Sequence, residues 1–100
     1  MTDDVHVLLH GTLAEMPRQR RGICRARVQV SMHDGSEPVE QLIVGTGELA
    51  PVIAAWTEGQ AVFVRGVLTR DDDLPPTDAR AWAVEARHVG AEQLPEVPST

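Results

Sequence analysis

The chain has no lysine, no tyrosine, one cysteine and only three aromatic side chains among its 100 residues. A lone cysteine, Cys24, excludes an internal disulfide and a cysteine-based zinc cluster, and it agrees with a reducing compartment. No apolar run approaches the roughly 20 residues that cross a bilayer. The acidic residues 1–4 are unlike the start of a signal peptide. We therefore expect a cytoplasmic protein that does not associate with a membrane.

The basic charge consists of nine arginines, in a chain with a formal net charge of −6. A net acidic protein repels polyanions at long range, so its unspecific affinity for nucleic acid is weak unless the arginines lie on one face. The guanidinium group, however, is a flat, forked donor that suits phosphates and stacks on bases. A set made only of arginine also agrees with a GC-rich genome, so the composition leaves both interpretations open.

The length predicts one domain, because a chain of this size forms a single core with little to spare. We place that domain at residues 1–94. Residues 95–100 contain two prolines and are predicted to form a short flexible tail.

Alternation of apolar and polar residues predicts five strands. They cover residues 5–14, 23–31, 39–44, 61–69 and about 80–89. A turn at 15–22 joins the first two strands, and an Asp-Gly hairpin turn at 33–38 joins the second to the third. Residues 71–78 form an acidic, proline-containing loop before the last strand.

Between the third and fourth strands the apolar period changes to that of a helix. The residues at i, i+3, i+4 and i+7 are Leu49, Val52, Ile53 and Trp56. This stripe predicts a helix of about three turns with these four side chains on its buried face. Thr46 or Gly47 can cap its start, Pro51 fits only in the first turn, and Gly59 provides a left-handed stop.

The strands are predicted to have one core face and one exposed face. In the second strand, apolar and polar residues alternate over 24–30, so Arg25 and Arg27 are predicted to be exposed. In the fourth strand the inward residues are Val62, Val64, Gly66 and Leu68, and the outward residues are Phe63, Arg65 and Val67. Three strands, one helix and two strands is the element order of the OB barrel, an all-β, five-stranded fold whose helix plugs one end.

Several segments occur in the order, and near the spacing, found in one known family. They are residues 7–13 (VLLHGTL), 22 with 26–30 (G and ARVQV), 47–50 (GELA), 59 (G) and 62–68 (VFVRGVL). The chain resembles the bacterial single-stranded-DNA-binding proteins, including the primosomal replication protein N-like relatives, over about residues 5–94. The resemblance implies an OB fold, binding of single-stranded DNA, and a role in DNA replication, recombination or repair with a replication or repair protein as partner. We also expect a homodimer or homotetramer, because association would bury apolar surface that a small barrel leaves exposed.

The aromatic stacking positions of that family are occupied differently in this chain. Where the family usually has tryptophan, phenylalanine and tryptophan, the chain has Val39 or Glu40, Gly45 or Thr46, and Asp72 or Asp73. Because base stacking on aromatics is worth about 1 to 3 kcal/mol per base, we expect weak binding through arginines with little stacking.

The candidate nucleic-acid-binding residues combine a basic cluster with one outward aromatic. They are Arg18, Arg20, Arg21, Arg25, Arg27, Phe63 and Arg65. The outer faces of the second, third and fourth β-strands would form a common groove for single-stranded DNA. The alternatives are that the arginines form a solvated rim paired with carboxylates, and that Phe63 is covered by a second subunit. Trp56 is predicted to lie in the core or at an interface, and Trp82 is predicted to pack because it shares a strand face with Val84 and Ala86.

No motif indicates an enzyme, a cofactor or a metal site. His6 and His10 share a strand face but lie about 13 Å apart, too far to bind one metal ion. The sequence therefore predicts a single-stranded-DNA-binding protein, and the alternative is an OB-fold protein-interaction module that has lost nucleic-acid binding.

Overall fold

Strands dominate the computed structural model, which describes residues 5–31 and 35–92. The elements are β1 (His6–Leu13), β2 (Arg18–Arg20), β3 (Ile23–Val30), β4 (Val39–Thr46), α1 (Leu49–Ala54), β5 (Ala61–Arg70), a 3₁₀ turn (Ala79–Ala81) and β6 (Trp82–Ala91). The predicted turn at 33–38 falls partly, and the predicted tail at 95–100 wholly, outside the described residues. No helix in the described ranges is long and apolar enough to span a membrane.

Five strands close into a barrel in the order β1-β5-β6-β4-β3, and β3 returns to β1. The closing contact is short, since β1 and β3 pair only at Thr12 and Leu13. The other pairs are antiparallel except for β4 and β6, which run parallel. This confirms the predicted all-β, five-stranded OB barrel with one short helix between the third and fourth barrel strands.

The barrel interior is filled by apolar side chains from alternate strand positions and from helix α1. Those less than 2% exposed include Leu13, Cys24, Val28, Ile43, Ile53, Val62, Val64 and Val84. Helix α1 packs its Ile53 against the inner side of β4, so closely that a Cβ at Gly45 would lie 2.4 Å from the Ile53 Cδ1 atom. Trp56 is 5% exposed and belongs to the same core cluster, as predicted.

The predicted turn at 15–22 contains a short strand that the sequence did not reveal. Arg21 and Gly22 both have positive φ, 54° and 75°, which is the two-residue type I′ geometry that joins paired strands tightly. Residues 18–20 therefore pair with residues 23–25 and form β2. The signal was missed because arginine is an unusual residue for the first position of such a turn.

Helix α1 is shorter than predicted, with six residues instead of about three turns. Its N-cap is Glu48 rather than Thr46 or Gly47, and Pro51 lies in the first turn as predicted. The buried face is formed by Ala50 and Ile53, so Val52 is 47% exposed, contrary to the predicted stripe.

Val67 was predicted to be outward, yet it is only 9% exposed. It lies outside the core cluster, directly between His6 on β1 and Glu85 on β6. Its neighbours are longer side chains on adjoining strands, and alternation along one strand does not reveal them.

Candidate functional site

Strand register places four of the predicted arginines on one outer surface. Directly opposite residues of an antiparallel pair have side chains on the same face. Arg18 lies opposite Arg25, and Arg20 lies opposite Ile23. Arg27, two residues beyond Arg25, points to the same side. We call this surface, formed by the outer side of β2, β3 and β4, the arginine face.

The pair formed by Arg18 and Arg25 is electrostatically unfavourable as it stands. Side chains directly opposite each other have Cβ atoms about 5 Å apart, and like charges in that position destabilise a sheet. Among the described residues, no carboxylate pairs with Arg18, Arg20, Arg21 or Arg25. A bound anion between Arg18 and Arg25 would relieve this repulsion.

Arg27 differs from these four because two carboxylates flank its guanidinium. Its Nε lies 3.7 Å from Glu15, and its NH1 lies 3.8 Å from Glu40. Both distances exceed a hydrogen bond, and all three side chains are about half exposed, so the pairs are weak. The two carboxylates lower the positive potential at Arg27 without fixing the side chain.

The tip of the β2–β3 hairpin carries a further exposed cation in a strained conformation. Arg21 is the only residue other than glycine with positive φ in the described ranges. The left-handed region disfavours residues with a Cβ by roughly 1 to 2 kcal/mol. Asparagine is the usual residue at this position of a type I′ turn, so the arginine here places an exposed charge at the hairpin tip at some cost in backbone strain.

Two shallow clefts lie side by side on the arginine face. The first, of about 370 Å³, is lined by Glu15, Arg18, Arg25, Ala26, Arg27 and Leu42. The second, of about 390 Å³, is lined by Arg27, Val39, Glu40, Leu42 and Arg80. Because Arg27 and Leu42 border both, the clefts form one track across the face.

Arg80 is a member of this track that sequence reasoning missed. It was assigned to the start of the fifth predicted strand, but it lies in the 3₁₀ turn before β6, and the β5–β6 loop brings it beside β4. Its NH2 donates to Asp78 at 2.7 Å, and its backbone N–H donates to the same carboxylate. These hydrogen bonds lower the pKa of Asp78 to about 2, so the pair is ionised throughout the neutral range.

The other two predicted site residues, Phe63 and Arg65, lie on a different surface. They belong to β5, whose neighbours are β1 and β6 rather than β4. The predicted groove of the second, third and fourth barrel strands therefore does not form, because β6 pairs with β4 and separates it from β5. The structure brings together the arginines of β2 and β3 and sets Phe63 and Arg65 apart from them.

Phe63 is 46% exposed, and its ring lies over Gly90 on the neighbouring strand. A Cβ at Gly90 would lie 2.1 Å from two atoms of the ring. One side of the ring is thus in contact with backbone, an arrangement known to protect glycine in a sheet. His10, directly opposite Phe63 on β1, borders it on the other side.

Trp82 has a structural part at the base of the acidic loop. Its Nε1 donates to the carbonyl of Pro76 at 2.9 Å, and the guanidinium of Arg70 lies 5.7 Å from its ring centre. Trp82 is partly exposed and does not belong to the core cluster, so it anchors this loop rather than filling the core beside Val84 and Ala86 as predicted.

The described residues contain no group of three or more histidine, cysteine, aspartate or glutamate side chains placed to hold a metal ion. Cys24 is buried in the core, and burial raises the pKa of its thiol. Its thiol is consequently a poor nucleophile.

Comparison with known proteins gives a consistent result for the fold. No family model matches the chain, and no curated protein matches it. Solved structures match over nearly its full length. The chain has the fold of single-stranded-DNA-binding proteins.

Three of these structures illustrate the likeness. The small single-stranded-DNA-binding protein of Streptomyces coelicolor has a TM-score of 0.73 at 17% identity, covering 92% of this chain and 96% of that one. The second such protein of Mycobacterium smegmatis has a TM-score of 0.73 at 20% identity, covering 97% and 100%. A mitochondrial one from S. cerevisiae has a TM-score of 0.69 at 8% identity, covering 90% and 95%. Identities this low establish a common fold only.

Proposed function

We propose that this protein binds single-stranded DNA through the arginine face. The observation that carries the proposal is the unpaired cross-strand pair of Arg18 and Arg25, which opens onto a cleft shared with Arg27. Phosphate groups fit such a site because guanidinium offers forked donors, and they remove the repulsion between the two cations. The fold shared with single-stranded-DNA-binding proteins supports the same ligand.

The bound strand would run from the hairpin tip toward the β5–β6 loop. Arg20 and Arg21 contact phosphates at the tip, Arg18 and Arg25 in the first cleft, and Arg80 at the far end. Arg27 joins them once its two carboxylate neighbours release it. Binding is weak, because the net charge is −6 and the arginine face has no aromatic side chain among its described residues.

The cellular role that fits this activity is DNA replication, recombination or repair in a bacterial cytoplasm, beside a replication or repair protein. We assign the protein a homodimeric or homotetrameric state. Leu8 and Phe63 are 72% and 46% exposed on the outer side of β1 and β5, and a second copy would cover them. Arg65, directly opposite Leu8, then belongs to the subunit contact rather than to the DNA site.

The test is a fluorescence anisotropy titration of a labelled oligothymidine at several salt concentrations. Arg18→Glu plus Arg25→Glu abolishes binding, whereas Arg70→Glu plus Arg87→Glu, with the same change in net charge outside the arginine face, retains it. For the wild-type protein, log affinity falls linearly with log salt, with a slope of about −0.7 per phosphate contact on a single strand. Absence of wild-type binding at about 50 mM salt and micromolar protein would refute the proposal.

A protein-interaction module is the second candidate. Arg27 lies between two carboxylates and Arg80 is paired with Asp78, so the cations at one end of the track are already partly neutralised. If oligothymidine does not bind, this part of the face, which has both signs of charge, would serve as a docking site for a protein partner.

A further inference from the structure

An aliphatic strip runs through the middle of the arginine face. Leu42 and Val44 occupy alternate positions of β4, and both are partly exposed. Leu42 lies directly opposite Arg27, and Val44 directly opposite Arg25. We call these two residues the aliphatic strip. On one side of the strip are the arginines of β3, and on the other side are Ala83 and Glu85 of β6.

Leu42 holds a central position in this strip. It borders both clefts, so that Arg18 and Arg25 lie toward one end of the track and Arg80 toward the other. Its backbone is fixed, because the Gln41 side-chain amide donates to the carbonyl of Leu42 at 3.0 Å and to that of Trp82 at 3.1 Å. The apolar surface therefore has a defined place among cations.

The chemistry of this arrangement selects one class of ligand. A groove with cations at both ends, and with Leu42 beside Arg27 at its centre, suits a chain that carries anionic groups beside exposed planar, apolar groups. Single-stranded DNA carries phosphates beside accessible bases. A duplex keeps its bases stacked inside, and a polyphosphate has no bases. The guanidinium of Arg27, opposite Leu42, can also stack on a planar base.

We propose that Leu42, with Val44 beside it, is the surface on which nucleobases rest, in place of an aromatic stacking platform. The inference rests on the proposed function and specifies the base contacts of the same site. Phe63 does not contribute to this nucleobase surface, because it lies on β5 with its ring over Gly90. The ligand is a single-stranded oligonucleotide with accessible bases.

The experiment compares two probes of equal length and charge, an oligothymidine and an abasic oligodeoxynucleotide. The wild-type protein binds oligothymidine more tightly than the abasic strand. Leu42→Ala lowers the affinity for oligothymidine by about tenfold, near the lower end of single-base stacking effects, and leaves the abasic strand unchanged. The salt slope stays the same, because no phosphate contact is lost.

Two further variants guard the result against a folding defect. Val52→Ala removes the same kind of exposed aliphatic side chain from α1 and leaves both affinities unchanged. Leu42→Trp supplies an aromatic surface at the same position and raises the affinity for oligothymidine alone.

The outcomes separate this inference from the proposed function. If Leu42→Ala affects both probes equally or neither, and Leu42→Trp gives no gain, nucleobases do not rest on Leu42, while charge reversal at Arg18 and Arg25 still tests DNA binding by itself. If the wild-type protein binds the two probes equally, the site recognises phosphates only and the inference is overturned. If it binds neither, the proposed function and the inference both fail.

Discussion

The arginine face and the outer surface of β1, β5 and β6 are two sides of one barrel with different chemistry. The first has unpaired cations around aliphatic side chains. The second has the exposed apolar residues Leu8 and Phe63, with His10 opposite Phe63 and His88 opposite Arg65. The arginines of β2 and β3 and the exposed ring of Phe63 therefore lie on different surfaces. We propose that a polyanion binds the first surface and that a second copy of the chain covers the other.

The comparison is tested most strongly by charge reversal on the arginine face. Arg18→Glu plus Arg25→Glu is expected to lower oligothymidine affinity by more than 100-fold at low salt, since a hydrogen bond to a charged group is worth about 1.5 kcal/mol or more. Phe63→Ala plus Arg65→Glu is expected to change it less than threefold at a protein concentration where assembly is unaffected. Anisotropy titrations measure both. The opposite ranking would move the DNA site to the β1–β5–β6 surface.

The second prediction concerns the packing of Phe63 over Gly90. Gly90→Ala introduces a Cβ into the space of the ring and is expected to lower the free energy of unfolding by about 1 to 3 kcal/mol. In Phe63→Ala plus Gly90→Ala the added methyl group no longer meets the ring, so the loss from Gly90→Ala is smaller in that background. Urea denaturation of the four proteins gives the coupling energy. Additive effects would show that the ring does not rest on Gly90.

The third prediction uses the strained tip of the arginine face. Arg21→Asn is expected to stabilise the fold by about 1 kcal/mol, because asparagine suits the first position of a type I′ turn. The same change removes a cation and is expected to weaken oligothymidine binding about threefold at low salt. Thermal unfolding and anisotropy measure the two quantities. Arg21→Gly, which relieves the strain without an amide side chain, is the control. A gain in stability without any loss of affinity would exclude Arg21 from the site.

A small effect is also expected at the far end of the track. Asp78→Asn keeps the oxygen that accepts from the Arg80 backbone but removes the charge that holds its guanidinium. Affinity is expected to rise about twofold to fivefold, the range of an exposed ion pair. The matched control is Asp72→Asn, which removes an acidic charge from the same loop. Equal gains in oligothymidine affinity in the two variants would show a general charge effect, and Arg80 would then not contact the DNA.

The depressed pKa of Asp78 also determines how the stability of the β5–β6 loop depends on pH. The carboxylate stabilises the loop above its ordinary pKa near 3.8, and that contribution is lost as pH falls toward about 2. Between pH 5 and 8, roughly the neutral range, the pair stays charged, so Asp78 introduces no pH dependence into binding there. The gain from Asp78→Asn should therefore be constant across that range.

Local sequence patterns account for much of the fold. Alternation along the chain identified the barrel strands, and it also separated core Cys24 from exposed Arg25. It did not reveal β2, because a type I′ turn that begins with Arg21 lacks the usual Asn-Gly signal. It misplaced Val52, because a helix of six residues buries only what its short contact with the barrel covers. Such errors arise where a neighbouring element, rather than the residue's own periodicity, decides exposure.

The candidate site was predictable only where its residues are close in sequence. Arg18 and Arg25 were predicted to form one cluster because they are only seven positions apart and a single hairpin joins them. Arg80 was missed, since nothing near it in the sequence indicates that the β5–β6 loop lies beside β4. Leu42 was overlooked because a partly exposed leucine in a strand has no signal of its own.

The sequence by itself determined which side of each strand faces the core, where the helix interrupts the strands, and that all basic side chains are arginines. Only the tertiary structure decided which strands are neighbours. The antiparallel pairing of β3 with β4 places Arg27 opposite Leu42 and Arg25 opposite Val44. The parallel pairing of β4 with β6 divides the predicted site, because it leaves Phe63 and Arg65 on the other surface. The physical reason is that alternation depends on residues two apart, whereas strand neighbours depend on closing a barrel between segments distant in the chain.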